Sequence, residues 1–272
     1  MSDSGIKKIK HIDMSTIKLN KPIAILGMPG IADVGKFALD SLVGQLDAKN
    51  MMDIIFDGYP AGAIVDDSLL SVPKAEILLW RDPENLRDIL LVTADAQSLT
   101  PKGIYKISNF LTQILFEVGT DLIIALGGYP VNSQNINSKV PKIYCTSTNQ
   151  NLLSDYVQED SCQKIKKGVI IGANGLIPTL AKARYNVDGL VFLAETDNIA
   201  MVNEDITDLK ASIALLDMLK SSFMLPIKNK FNMKNIDNIN KNLQSKKDKL
   251  EKELDKFQLV DSKDDKRKSL YI

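Results

Sequence analysis

The sequence predicts a three-layer α/β sandwich with a mostly parallel sheet. Short apolar runs alternate with stretches whose apolar residues recur at helical spacing, and several of the runs end on glycine. Strands that alternate with helices are typical of a parallel sheet covered by helices on both faces. With 272 residues and 44% hydrophobic side chains, the chain is also long enough to bury one large core of this kind.

The first elements are a strand, a glycine turn and a helix. Residues 22–26 form a short apolar run typical of a buried strand, and the glycine-rich residues 27–30 end it. Apolar side chains then recur at helical spacing between Val34 and Val43. Another apolar run, residues 52–56, predicts the next strand.

A hairpin and a clearly marked helix follow. The apolar runs 76–80 and 88–93 are separated by an Asp-Pro-Glu-Asn turn sequence, so we expect two antiparallel strands. Thr100 is placed as the N-cap of the next helix and Pro101 as its first residue. Threonine caps helices well, and proline is tolerated where the backbone N–H would have no helical partner.

The pattern continues in the second half of the domain. The apolar runs 121–126 and 189–194 predict buried strands, and the first of them also ends on glycine. A glycine-rich segment, 172–175, precedes a helix around residues 180–185, and a long amphipathic helix is expected at 207–225.

Composition divides the chain into four parts. Residues 1–20 form a polar N-terminal arm, residues 21–227 the α/β domain, residues 228–260 a helical extension and residues 261–272 a charged, flexible tail. The extension has apolar residues at every seventh position, with polar interruptions. A single amphipathic helix on the domain and a coiled coil in an oligomer are both compatible with this pattern.

The balance of charge limits the classes of partner. Lys and Arg number 34, and so do Asp and Glu, so no overall field favours nucleic acid or an anionic membrane. We also find no signal sequence and no apolar run long enough to cross a bilayer. The two cysteines, Cys145 and Cys162, form neither a disulfide framework nor a zinc-site pattern, so we expect free thiols in a reducing, cytoplasmic compartment.

One loop has the spacing of a phosphate-binding P-loop. In residues 30–36, two glycines are separated by four residues and followed by Lys36. However, Phe37 stands where such a loop needs Ser or Thr to hold magnesium. Asp121 begins its apolar run, whereas a Walker-B aspartate lies at the end of one. The other interpretation is that these glycines permit a sharp turn and close packing.

Three carboxylates follow predicted strands, where open α/β sheets tend to place their sites: Asp95, Glu195 and Asp197. They could perform acid-base chemistry or bind a metal. Helix capping and loop hydrogen bonds explain the same residues, and we favour that interpretation. The only histidine, His11, lies in the predicted arm, and Cys162 has no partner histidine. We therefore expect no catalytic residues, no cofactor and no metal.

The chain ends in a charged segment followed by an apolar one. Residues 261–269 cannot bury enough apolar surface to fold, so we expect a mobile tether. At its end, Leu270, Tyr271 and Ile272 combine two apolar side chains, an aromatic ring with a hydroxyl group and a carboxylate. This combination suits the capture of a C-terminus in a pocket, although an apolar-tyrosine pair also arises by chance.

Three glycine-rich segments together resemble the proteasome assembly chaperone family in its archaeal form. They are Gly27-Met28-Pro29-Gly30 followed by Val34-Gly35, Gly127-Gly128-Tyr129-Pro130, and Gly172-Ala173-Asn174-Gly175-Leu176-Ile177-Pro178. The resemblance implies a fold similar to that of purine nucleoside phosphorylases and no established enzymatic activity. It also implies a homo-oligomer that assists the assembly of proteasome α subunits without ATP.

The same resemblance implies a role for the tail. Leu270-Tyr271-Ile272 is similar to the hydrophobic-tyrosine-any ending that docks into pockets between neighbouring α subunits, where the terminal carboxylate pairs with a lysine. We therefore expect a cytoplasmic chaperone that binds proteasome α subunits or the α ring through these three residues. Two other functions stay open. One is a non-ATPase activator or interactor of the assembled core particle, and the other is a phosphate- or nucleotide-binding, phosphorylase-like enzyme that uses residues 30–36.

Overall fold

The computed structural model of the protein describes residues 5–13, 17–132, 140–156, 162–197 and 207–227. The chain divides into one compact unit of residues 1–229 and a second unit of residues 230–272. The predicted helical extension, residues 228–260, and the predicted tail, residues 261–272, lie outside the described residues. All of the described residues therefore belong to the first unit.

In the described part of the first unit, strands outnumber helices, and five strands follow one another between the first two α-helices. The strands are β1 (Ile6–Lys10), β2 (Ile23–Gly27), β3 (Lys49–Phe56), β4 (Ile64–Asp66), β5 (Leu69–Ser71), β6 (Lys74–Trp80), β7 (Ile89–Ala94), β8 (Leu122–Val131), β9 (Ile143–Ser147), β10 (Gln163–Lys164) and β11 (Asp188–Asp197). The helices are α1 (Val34–Leu46), α2 (Pro101–Glu117), α3 (Leu152–Tyr156), α4 (Ala173–Tyr185) and α5 (Leu209–Phe223). Among the described residues, no helix is both long and apolar enough to cross a membrane.

The main sheet is mixed. Its strands follow the order β1-β3-β6-β7-β2-β8-β11-β9-β10. The central strands β7, β2, β8 and β11 are parallel, whereas β1, β3 and β6 on one side and β9 on the other join by antiparallel pairs. The predicted parallel arrangement therefore holds for the four central strands and for the short pair of β9 and β10, but not for the rest of the sheet. On the flanks, consecutive strands such as β6 and β7 are connected without a crossover helix, and such connections give antiparallel pairs.

Helices cover both faces of this sheet. Along β2, Ile23 and Ile25 contribute to one hydrophobic core, and Ala24 and Leu26 contribute to the other. Helices α1 and α5 pack on the first core and α2 and α4 on the second, which gives three layers. Each fully buried Ile or Leu side chain contributes roughly 1.5–3 kcal/mol to the free energy of unfolding, so the sheet is stabilised from both sides.

The N-terminal part of the chain is not only a polar arm, because residues 6–10 form edge strand β1 against β3. Just beyond it, the Nε2 atom of His11 lies 3.0 Å from Oδ2 of Asp53, and the Nζ atom of Lys74 lies 3.1 Å from Oδ1 of the same carboxylate. Burial acts to raise the pKa of Asp53, but hydrogen bonds from Asn50, His11 and Lys74 outweigh it and lower the pKa below its usual value. The histidine thus helps to attach the edge strand.

Two local predictions are confirmed. Strands β6 and β7 form the expected antiparallel hairpin. Thr100 is the N-cap of α2, with its Oγ1 atom accepting a hydrogen bond of 3.1 Å from the backbone N–H of Gly103, and Pro101 is the first helical residue. Two boundaries differ. Helix α4 begins at Ala173 rather than near residue 180, and β8 continues through its glycines because it stays paired with β11 as far as Val131.

The expectation of free thiols is wrong, because Cys145 and Cys162 form a disulfide bond with 6.0 Å between their Cα atoms. The two cysteines meet because of the way two strands pair in the folded sheet. Cys145 lies in β9, and the short strand β10 pairs in parallel with Tyr144 and Cys145. That pairing brings the residue just before β10 beside β9, within the range of Cα separations that a disulfide requires. The spacing of two cysteines in the sequence does not reveal this neighbourhood.

Candidate functional site

The three glycine-rich segments meet at the carboxyl edge of the central strands. We call this region the glycine junction and define it as residues 27–30, 127–128 and 172–175. A Cβ atom on Gly35 would overlap the backbone carbonyl of Leu126, and one on Gly27 would overlap the backbone carbonyl of Gly35. The start of α1 therefore packs directly on the backbones of β2 and β8, and only residues without a side chain allow that approach.

Two side-chain amides fix the loop that follows β2. Asn174, which is 8% exposed, accepts a hydrogen bond of 3.0 Å from the backbone N–H of Met28 and donates one of 3.2 Å to the carbonyl of Met28. Gln97 donates from Nε2 to the carbonyl of Pro29 and accepts a 3.0 Å bond from the N–H of Ala173. These bonds connect the loop to the start of α4 and explain why that helix begins at residue 173.

The geometry of residues 30–36 favours packing over phosphate binding. The Nζ atom of Lys36 lies 3.0 Å from Oδ2 of Asp40 and 3.5 Å from Oγ1 of Thr93. The N–H of Gly30 donates to Oδ1 of Asp33, which precedes the first residue of α1. A carboxylate thus lies where a P-loop presents free N–H groups to phosphate. The described geometry lends no support to the phosphate-binding alternative.

Asp95 is not brought together with the other two predicted carboxylates, which both lie in β11. Asp95 follows β7 and Glu195 lies in β11, and these strands are separated by β2 and β8, which corresponds to about 14 Å. Asp95 accepts a 2.9 Å hydrogen bond from the backbone N–H of Lys74. Glu195 accepts one of 3.3 Å from the N–H of Lys142. Both carboxylates therefore fasten loops to the sheet, as we favoured from the sequence, and Asp197 is the last residue of β11.

A tyrosine pair lies close to Glu195. The rings of Tyr129 and Tyr144 are stacked with 4.0 Å between their centroids. Burial raises the pKa of Tyr144, and the negative charge of Glu195 raises it further, so the phenol keeps its proton at neutral pH. In the part of the chain that the structure describes, there is no group of three or more His, Cys, Asp or Glu residues that could hold a metal ion.

The partner-binding residues that the sequence predicted, Leu270, Tyr271 and Ile272, lie outside the described residues. Their role in docking stays a prediction.

Exposed apolar side chains form a feature that the sequence did not single out. The hairpin of β4 and β5 exposes Val65, Leu69 and Leu70, which we call the hairpin patch. Leu99, Val169 and Ile171 are also exposed, and we call them the loop patch. The only sequence signal was a pair of short apolar runs around Asp66-Asp67-Ser68, a composition typical of a turn between strands.

Comparison with known proteins places most of the domain in a known group. The profile described as the PAC2 family matches residues 24–247. A protein of Methanocaldococcus jannaschii described as uncharacterized is 26% identical over 191 residues, which is 70% of each chain.

Two solved structures from Pyrococcus furiosus share the fold. PbaB, described as an archaeal proteasome activator, is 26% identical with a TM-score of 0.75, and the match covers 91% of this chain and 99% of PbaB. PbaA, described as an archaeal homolog of proteasome-assembly chaperone, is 18% identical with a TM-score of 0.68, and the match covers 94% of this chain and 97% of PbaA.

Proposed function

This chain belongs to the PAC2 family, and from that premise we propose that it is an ATP-independent, non-catalytic proteasome assembly chaperone of the archaeal type. It works in the cytoplasm as a homo-oligomer and binds proteasome α subunits or the α ring through Leu270, Tyr271 and Ile272. The observation that supports this proposal most strongly is the similarity to PbaB, at 26% identity over nearly the whole of both chains.

The comparison with PbaB favours a second function that also involves the proteasome. PbaB, described as a proteasome activator, has a higher identity and TM-score with this chain than PbaA, described as a chaperone homolog. The alternative is therefore a non-ATPase activator that docks on the assembled core particle. Both functions need the same contact with α subunits, and they differ in whether the partner is an assembly intermediate or a finished particle.

The described domain supports a role as a rigid body rather than an enzyme. The loop after β2 is held by Asn174 and Gln97, Lys36 is paired with Asp40, and the carboxylates fasten loops. Helices on both faces of a mixed α/β sheet are also compatible with the purine nucleoside phosphorylase-like fold that we propose for the domain.

The chemistry of the tail supports its proposed docking. Residues 261–269 are rich in charge, which favours a solvated tether, and residues 228–260 are proposed to act as a helical spacer. Leucine and tyrosine at the end supply an apolar contact and a hydroxyl, and the carboxylate supplies a charge for a lysine in a pocket. Buried tyrosines are frequent centres of binding energy at interfaces.

The decisive experiment compares binding to immobilised α subunits by the full chain, by a chain lacking residues 270–272 and by Tyr271→Ala. Loss of an interfacial tyrosine that acts as a binding hot spot costs about 2 kcal/mol, or roughly thirty-fold in Kd. The matched control is Ser269→Ala, which changes the adjacent residue and should bind like the full chain. Equal binding by all four proteins would contradict the docking proposal.

A second measurement separates the two functions. If the protein is an assembly chaperone, it should speed the formation of rings from free α subunits. If it is an activator, it should raise peptide hydrolysis by the assembled core particle. Gel filtration of a chain ending at Ile227 tests the extension, because an unchanged oligomer would exclude an essential coiled coil.

A further inference from the structure

The hairpin patch and the loop patch lie at the same edge of the molecule. Strand β3 runs in the same direction as β7, since both are antiparallel to β6, so the hairpin of β4 and β5 leaves the sheet at the carboxyl edge of the central strands. Leu99 follows β7 at that edge, and Ile171 precedes the helix whose Asn174 binds the loop after β2. The apolar side chains of both patches therefore lie at one end of the sheet.

The hairpin of β4 and β5 is poorly stabilised by its own contacts. It forms a separate two-stranded sheet in which Val65 lies opposite Leu70, and the three apolar side chains of the hairpin patch are 68% to 75% exposed. An isolated two-stranded hairpin is at best marginally stable in water. Burial of its apolar side chains against another surface would supply the missing stabilisation.

The loop patch is attached to a rigid base. Its three side chains are 82% to 88% exposed. Gln97, two residues before Leu99, accepts a hydrogen bond from the N–H of Ala173, two residues after Ile171. This bond holds the two loops together, so Leu99 and Ile171 lie on neighbouring segments of the surface. An ordered apolar surface of this kind is typical of a protein-protein interface.

Charged side chains beside the two patches have opposite signs. Asp67 at the tip of the hairpin and Asp95 near its base are exposed. Lys102 is exposed three residues after Leu99, and Lys166 and Lys167 are exposed just before Val169 in the chain. The hairpin patch is therefore flanked by acidic residues and the loop patch by basic ones, at the same edge of the sheet. In a two-fold dimer, the acidic patch of each copy can face the basic patch of the other.

We propose that this face is an interface with a second copy of the chain, in which the hairpin patch of each copy packs on the loop patch of the other. The inference rests on the proposed function, because it assigns a surface to the homo-oligomer proposed there. The opposed charges set the orientation, and the apolar side chains supply most of the affinity. Like charges would meet if hairpin faced hairpin, so the alternative pairing is disfavoured.

The first test places a charge within the hairpin patch. Leu70→Asp should lower the mass of the purified protein measured by light scattering at a fixed concentration, because it replaces an apolar contact with a carboxylate that must lose its hydration at the interface. The matched control is Leu86→Asp. Leu86 is 68% exposed in the turn between β6 and β7, at the opposite edge of the sheet, and its substitution should leave the mass unchanged. Circular dichroism of each variant checks that the domain stays folded.

The second test exchanges the charges. The variant Asp67→Lys with Ser71→Lys makes both patches basic, and the variant Lys166→Glu with Lys167→Glu makes both acidic. Each variant alone should show a lower mass, whereas an equimolar mixture should recover the mass of the unsubstituted protein. Recovery would not be expected from a variant that had merely lost its fold.

The outcomes separate this inference from the proposed function, since both tests use the purified chain without α subunits. An unchanged mass for Leu70→Asp, or a mixture that stays dissociated, would overturn the inference and leave tail docking unaffected. If Leu70→Asp kept its mass but bound α subunits less tightly, the hairpin would be a surface for the proteasome and the inference would equally be wrong.

Discussion

At the scale of single residues, the effect of replacing a glycine depends on which atoms surround the position that a Cβ atom would occupy. Gly35 allows α1 to approach the backbone of β8 at Leu126. Gly44, in the same helix, has no atom within 4 Å of the position where a Cβ would lie. Substitution by alanine should therefore change the free energy of unfolding in opposite directions at the two positions.

Gly35→Ala should lower the free energy of unfolding by roughly 1–3 kcal/mol, because the methyl group would overlap the Leu126 carbonyl and push α1 from the sheet. Gly44→Ala should raise it by about 0.5–1 kcal/mol, because alanine restricts the unfolded chain and favours the helix. Urea unfolding followed by the fluorescence of the single tryptophan, Trp80, measures both. Equal effects would show that the junction has room for a side chain.

At the scale of elements, the disulfide attaches the shortest strand of the sheet to its neighbour. Strand β10 has two residues and lies at the end of the strand order, so backbone hydrogen bonds to β9 alone hold it weakly. The bond between Cys145 and Cys162 closes a loop with a sequence separation of 17 that contains α3. The cross-link stabilises the native state mainly by restricting the unfolded chain.

Reduction of this bond should therefore lower the free energy of unfolding by about 3 kcal/mol, the value that the chain-entropy argument gives for a loop of this length. Thermal unfolding with and without a dithiol reductant measures the change. The double variant Cys145→Ser and Cys162→Ser is the control, and its Tm should not respond to the reductant. A native protein whose Tm is equally insensitive would contradict the prediction.

At the scale of the whole molecule, the proposed interface and the proposed tail act together. An oligomer presents several tails, and each bound tail raises the effective concentration of the others near an α ring. A pair of neighbouring α subunits offers one pocket and therefore no such gain. The oligomer matters for binding only if the tether lets separate tails reach separate pockets at the same time.

Leu70→Asp should consequently weaken the apparent affinity for an assembled α ring on the order of 100-fold, through the loss of avidity. Its affinity for an immobilised pair of neighbouring α subunits, which offers one complete pocket, should stay unchanged, because each chain keeps its tail. Surface plasmon resonance with rings and with such pairs measures the two values, and Leu86→Asp should match the unsubstituted protein in both. A parallel loss of both affinities would exclude avidity as the cause.

The sequence by itself determined the features that depend on neighbours along the chain. The buried strands could be predicted because apolar runs bury their side chains on both faces of the sheet. The start of α2 could be predicted because Thr100 and Pro101 favour a helix start through contacts within the first turn. The β6–β7 hairpin was likewise readable from its turn residues. The glycine segments identified the family because their order and spacing are properties of the chain.

Only the tertiary structure decided the features that depend on residues distant in sequence. The start of α4 is fixed by Gln97 and by contacts with Met28, the disulfide by the pairing of β10 with β9, and the mixed sheet by connections that return without a crossover. The hairpin patch is exposed because β4 and β5 form a separate two-stranded sheet that is not part of the main sheet. In each case the energy comes from surfaces that meet only after folding, so no local pattern in the sequence can specify it.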